Sequence, residues 1–323
     1  MPTPAPKPQP KLAAVTPPAS RMTLASVTKS RKDVPQRTLL VGTEGIGKST
    51  FGASAPTPIF LASEEGITHL DVPAFPEPKT AKDVLDAIDS LIEEQHSYQT
   101  FVMDTVDWTE AKLAAALCER NGWETIETPG YGKGQVALTE EWRGVLAKLD
   151  VLRRSRGMEI VLLAHAQVKT FANPTGPDYS RYELALSKGG AALLKQWCDA
   201  VLFADYEDFV VDAKGKTVDG VTSKLKVKGV STGRRVIHTE RTAAWDAKNR
   251  YSLPPVLPLD YAEFARARTK GLDVDPEQVY AECRALAEQL SLGAEALAFL
   301  DSIRTDPHEL VMSLNRLRVK AQG

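Results

Sequence analysis

Cysteine is scarce in this 323-residue chain, with Cys118, Cys198 and Cys283 as the whole complement. Three thiols so far apart suggest neither a disulfide framework nor a zinc site, and their apolar surroundings read as those of reduced core thiols in a cytoplasmic protein. Long apolar runs are also lacking. Nothing approaches the roughly 18 consecutive residues that a bilayer crossing needs, and the first residues hold proline where a secretion signal would hold an apolar core. The expectation is a protein neither embedded nor secreted, with no membrane partner. A strong charge of one sign is missing as well, because 40 Lys and Arg against 42 Asp and Glu leave a net −2. No global field therefore draws the chain to nucleic acid. The basic residues are unevenly placed all the same. Residues 1–37 carry seven against one Asp, and residues 213–241 carry eight against one Asp and one Glu. Such stretches suit phosphate contacts and solvated surface equally.

What is present is the composition of an ordinary globular protein, 43% hydrophobic and 25% charged. Residues 1–20, "MPTPAPKPQPKLAAVTPPAS", have too few large apolar side chains to bury and are expected to be a disordered tail. From residue 21 to about 268 short apolar runs alternate with amphipathic ones. Strands are expected at 37–41, 58–62, 100–104, 159–164 and 200–204, and helices at 80–95, 107–120, 139–155 and 190–197. Val84, Leu85, Ile88, Leu91 and Ile92 form one apolar stripe, and Trp142, Val145, Leu146, Leu149 and Leu152 another. Apolar strands between such helices predict an α/β fold with a mostly parallel sheet covered on both faces. After residue 205 the turn signals "AKGK", "VDG" and "STG" predict an antiparallel β extension at the sheet edge. Residues 269–323 are expected to be a small helical appendage, with starts at Asp275-Pro276 and Asp306-Pro307.

The sharpest local signal is "LLVGTEGIGKSTFG", residues 39–52. Gly42, Gly47, Lys48 and Ser49 fit G-x-x-x-x-G-K-[ST] between an expected strand and an expected helix. In such a loop the backbone N–H groups of Thr43, Glu44, Gly45, Ile46, Gly47, Lys48, Ser49 and Thr50 cradle phosphates. The lysine reaches the β and γ phosphates and the Ser49 hydroxyl holds Mg²⁺. The chain is thus expected to bind ATP with Mg²⁺. Hydrolysis needs two further acidic groups. Asp104 ends the apolar "TFVMD" strand and is the expected second Mg²⁺ ligand. Glu64 or Glu65, at the end of "IFLASEEG", is the candidate base that orients water. His165 and Gln167 follow another apolar strand, at the edge where open α/β sheets bind ligands.

The segment "AQVKTFANPTGPDYSRYELALSKGG" mixes Phe171, Tyr179 and Tyr182 with Lys169, Arg181 and Lys188, and its Gly and Pro argue against a regular element. Aromatics that stack on bases, among cations that follow phosphates, compose a single-stranded DNA site. Packing of the tyrosines onto the domain is the alternative.

In this order the residues resemble the RecA-like recombinase ATPases, and more closely the phage-encoded RecA-like proteins that act as single-strand annealing recombinases. "FLASEEG" is similar to the family's strand that ends in a catalytic glutamate, which falls on Glu64. "VMDT" resembles its Mg²⁺-binding strand, and "LLAHAQVK" the strand ending in a γ-phosphate sensor, which falls on His165. "PGYGKGQ" is similar to a glycine-rich stretch at the first DNA loop, which implies DNA contacts from Tyr131 and Lys133. "DAKNRYSLP" resembles a late basic motif. Lys248 and Arg250 flank Asn249 there and, two residues apart on a strand, point the same way. The resemblance implies that they reach the γ-phosphate of a neighbouring subunit in a ring or filament; a charged hairpin end is the plain alternative. The family further implies DNA-stimulated ATP hydrolysis, single-stranded DNA as partner, and a single-stranded DNA-binding protein as a further one. A helicase-like motor, or a nucleotide-switched assembly protein with negligible turnover, would use the same core.

Overall fold

The structure, a computed structural model, describes residues 34–62, 65–212, 227–271 and 275–321. The proline-rich tail, Glu64 and residues 213–226 of the basic stretch lie outside the described residues.

Strands β1 (Arg37–Gly42), β2 (Pro58–Ala62), β3 (Thr100–Asp104), β4 (Glu159–Phe171) and β6 (Ala200–Asp212) alternate with helices α1 (Lys48–Ala53), α2 (Ala81–Glu93), α3 (Val106–Asn121), α4 (Lys133–Arg156) and α5 (Lys188–Trp197). They lie in the order β2-β3-β4-β1-β6, all parallel. Strand β7 (Val227–His238) joins β6 antiparallel, and β8 (Val256–Pro258) joins β7 in the same sense. The expected mostly parallel sheet with an antiparallel extension is therefore what forms.

Alternation along each strand sends side chains to two cores. Leu39, Val41, Phe101, Met103, Ile160 and Leu162 meet α2 to α5 on one face. Leu40, Phe60, Val102, Val161, Leu163 and Leu202 meet α1 and α6 (Tyr261–Gly271) on the other. Both faces are covered, so the strands read as continuous apolar runs. Two helix boundaries have a plain physical cause: Thr80 and Asp83 form a reciprocal cap at the start of α2, and the left-handed Gly122 ends α3.

The C-terminal helices α7 (Pro276–Gln289), α8 (Ala294–Ser302) and α9 (Pro307–Lys320) bury Val279, Cys283, Leu300, Leu310 and Leu314 in a core of their own. The Asp275 carboxylate caps α7 ahead of Pro276, as the sequence predicts. Helix α6 is fixed to the sheet by a buried ion pair in which Arg268 Nη2 lies 2.6 Å from Glu159 Oε1.

Two expectations need correction. Helix α4 begins at Lys133, six residues before the expected start at 139, because the left-handed Gly132 supplies its N-terminal cap. Strand β4 does not stop at residue 164. It continues to Phe171, turns, and pairs antiparallel with β5 (Tyr179–Leu184) in the register Phe171↔Tyr179 to Ala166↔Leu184. Gly176, Pro174 and Pro177 fall in the turn, so they break neither strand.

Candidate functional site: a phosphate-binding loop at the sheet edge

Sheet register collects the motif residues at one edge. Gly42 pairs with His165, and Ala62 pairs with Asp104, so β1 to β4 deliver their carboxyl ends together. Gly42 has no room for a side chain there, since a Cβ would stand 2.9 Å from Ile46 Cγ2 and 3.0 Å from the Ala204 carbonyl oxygen. Gly47 has a φ of 107°, which glycine alone adopts readily, and it turns the loop into α1.

Lys48 is buried, and its ammonium donates to the carbonyls of Thr43 at 2.9 Å and Gly42 at 3.3 Å. The Ser49 hydroxyl donates to Asp104 Oδ2 at 2.6 Å. Around them lies a cleft of about 880 Å³ that includes Glu44, His69, Asp107, Trp108, Gln167 and Arg235 in its lining. A second cavity of about 590 Å³, beside α6 and the start of α9, holds none of the motif residues.

Among the described residues no three His, Cys, Asp or Glu side chains gather as a metal cage. The Ser49–Asp104 pair nevertheless fits Mg²⁺, which takes hard oxygen donors from one or two side chains and completes its shell with phosphate and water. Asp107, in the first turn of α3, accepts from the His165 ring at Nδ1 (2.8 Å) and from the His165 backbone N–H (3.1 Å). Burial works to raise the Asp107 pKa, yet the His165 hydrogen bonds outweigh it and hold the carboxyl below its usual range. Asp107 was not among the expected site residues. The available signal was its position, three residues past Asp104 and at a helix start. Arg235, from β7, is the other unexpected member, and its signal was no more than its place in the basic stretch 213–241.

The residues expected to meet DNA divide into two groups. Tyr131 is fully exposed on a run of three left-handed residues, with φ of 68° at Gly130, 49° at Tyr131 and 70° at Gly132, and Lys133 beside it is exposed too. Lys169 is exposed on the β4–β5 hairpin, where the half-buried Phe171 and Tyr179 rings lie 5.3 Å apart. Arg181 and Tyr182 face inward. Arg181 is buried, with Nη2 2.5 Å from Asp246 Oδ1 and its guanidinium 5.3 Å from the Phe171 ring. Tyr182 packs 5.1 Å from Phe203, which stacks on Trp245.

Lys248 and Arg250 do not form a displayed pair of cations. Lys248 donates to the carbonyls of Lys195 (3.0 Å), Gln196 (3.0 Å) and Cys198 (2.6 Å), which closes the C-terminus of α5. Arg250 Nη1 lies 3.3 Å from Asp199, the carboxylate that also binds Arg37. Arg37 and Asp199 stand where β1 and β6 begin, at the opposite end of the strands from the cleft.

A glycine loop at the carboxyl edge of a parallel sheet, with lysine, serine and a strand-end aspartate converging on it, defines a P-loop NTPase core. A family model described as "AAA domain" matches residues 34–251, more than half of the chain, and the protein belongs to this AAA-domain family. No curated protein matches. A solved structure titled "Crystal structure of the RadB recombinase" is similar at 14% identity and a TM-score of 0.36, over 64% of this chain and 82% of that one. A likeness so distant carries neither activity nor ligand across. No helix among the described residues is long and apolar enough to cross a membrane.

Proposed function

We propose that the protein is a Mg²⁺-dependent ATPase whose turnover is coupled to single-stranded DNA, acting in phage recombination by strand annealing within the host cytoplasm. The observation that carries the ATPase reading is the 2.6 Å contact between Ser49 and Asp104 beside the buried Lys48. Lys48 neutralises phosphate charge, and the loop N–H groups of residues 43–50 orient the phosphates. Ser49 and Asp104 would hold Mg²⁺, whose charge would offset that developing on the phosphates. Asp107 fixes the His165 ring, so that His165 presents one defined face toward the γ-phosphate end of the cleft. Glu64 follows β2 by two residues, and β2 ends beside Asp104 in register; this supports Glu64 as the group that orients water.

DNA coupling rests on the fully exposed Tyr131 in its left-handed run, because strained, displayed aromatics collect at binding loops. Lys133, Lys169, Phe171 and Tyr179 extend that surface. The resemblance to annealing recombinases supports the phage role, a homo-oligomeric ring or filament, and a single-stranded DNA-binding protein as a further partner. The deciding experiment is steady-state ATP turnover on the intact chain with and without single-stranded DNA. Several-fold stimulation is expected, with Lys48→Ala losing nucleotide binding and Glu64→Gln keeping binding but losing turnover. Equal rates with and without DNA would remove the coupling. Loss of turnover in Glu65→Gln and not in Glu64→Gln would move the base by one residue.

A further inference from the structure

Arg235 is a cation at the cleft to which the catalytic reading gives no work. Its backbone is pinned on both sides: β7 pairs Arg235 with Tyr206, and the Leu259 N–H donates to the Arg235 carbonyl at 3.0 Å. Ile237, two residues on and so on the same face of β7, is fully buried in the core shared with α1. The Arg235 side chain is thereby carried to the α1 side, where Nη1 donates to the Ile46 carbonyl at 3.3 Å. A Cβ on Gly47 would stand 2.6 Å from the same nitrogen. Among the described residues the Ile46 carbonyl is its hydrogen-bond partner, and no carboxylate pairs with it; the adjacent Arg234 pairs with Glu207 instead. A guanidinium has five N–H donors, so most of its donor capacity is left for a ligand.

Position along the cleft decides which part of a ligand it meets. Strand β4, with His165, flanks β1 on one side, and β6 then β7 follow on the other. Asp104, Asp107 and His165 therefore stand on one side of the P-loop, the side that the nucleotide reading assigns to the metal and γ-phosphate, while Arg235 stands on the other. Its bond to Ile46 also acts on the loop itself. The Ile46 carbonyl and the Gly47 N–H belong to one planar peptide, so holding the carbonyl restricts rotation of that peptide within the loop.

We propose that Arg235 is a ground-state binding residue for nucleoside di- and triphosphates, supplied by the subunit's own β7, that contacts the α- and β-phosphates and orients the Ile46–Gly47 peptide. The inference rests on the nucleotide reading above. Its mark is an equal effect on ATP and ADP, since both carry the α and β groups.

The test is equilibrium titration of the full chain with fluorescent ATP and ADP in Mg²⁺, for wild type, Arg235→Ala, Arg235→Gln and Arg235→Lys, with thermal unfolding of each measured without nucleotide. Arg235→Ala is expected to weaken both ligands by a similar factor, about tenfold, as loss of a charge-assisted contact does. Arg235→Lys should recover more affinity than Arg235→Gln, which can hold the carbonyl but carries no charge. Wild-type ADP affinity in Arg235→Ala together with collapsed ATP turnover would place the cation on the γ-phosphate and overturn the proposal. Wild-type affinity for both ligands would reduce Arg235 to surface charge. If Arg235→Ala does not fold, the Gln variant carries the same comparison. Failure of the wild type to bind either ligand, by contrast, would sink the nucleotide reading itself and this proposal with it.

Discussion

Asp107 holds His165 at two points, with Oδ2 on the ring Nδ1 at 2.8 Å and Oδ1 on the backbone N–H at 3.1 Å. A carboxylate on Nδ1 keeps the proton there, so Nε2 is the acceptor of the neutral ring. Asp107→Ala frees both ring and strand end. We expect turnover to fall about tenfold or more, as misplacement of a positioned group does, while nucleotide affinity changes little. Phosphate release measured beside a nucleotide titration checks this, and equal losses in both would assign Asp107 to binding.

Tyr131 and Tyr182 make opposite predictions. Tyr131 is fully exposed at a φ of 49°, where a side chain costs about 1 kcal/mol. Tyr131→Gly should leave stability equal or slightly higher and weaken single-stranded DNA binding by about 1 to 3 kcal/mol. Tyr182→Ala removes a ring packed on Phe203 and should lower stability first, by about 2 kcal/mol or more. Denaturant unfolding and DNA titration of both variants separate the roles. Unaltered DNA affinity in a folded Tyr131→Gly protein would take the glycine-rich turn out of the DNA surface.

What could be read from the sequence depended on the distance between partners. The P-loop and Asp104 were legible because each function sits within a few residues of its own strand, and strand order then brings them together. The fates of Arg181 and Lys248 were not. Arg181 is buried by Asp246, 65 residues away, and Lys248 closes a helix that ends about 50 residues earlier. Arg235 reaches the P-loop carbonyl across 189 residues. The β4–β5 hairpin was missed for a related reason. Its Gly and Pro read as breakers, whereas the pairing of Phe171 with Tyr179 confines them to the turn.

Lys248 holds a helix end, and a structural role for it makes a prediction distinct from a catalytic one. Its ammonium gathers three carbonyls at the end of α5, so Lys248→Ala leaves that helix end open. A loss of about 1 to 2 kcal/mol in denaturant unfolding is expected. Arg250→Ala, at an exposed ion pair, should stay within about 0.5 kcal/mol. Full stability in Lys248→Ala with abolished turnover would place Lys248 in the catalytic set instead.

His238 gives the fold a pH dependence of definite sign. Its ring lies 4.3 Å from Trp245 and 6.4 Å from Phe203, in the register pair Phe203↔His238. Burial lowers its pKa, and the nearby Asp205 offsets only part of that. The folded protein thus keeps the ring neutral at a pH where the unfolded chain, near the ordinary value of about 6.5, has begun to take up a proton. Stability from this site is complete above that value and declines as pH falls below it, until the lowered folded pKa is reached. His238→Phe keeps the aromatic packing and removes the titration. Thermal unfolding from pH 5 to 8 should show a shallower acid-side decline in the variant than in the wild type. Parallel curves would mean that His238 contributes nothing to the acid sensitivity of the sheet extension.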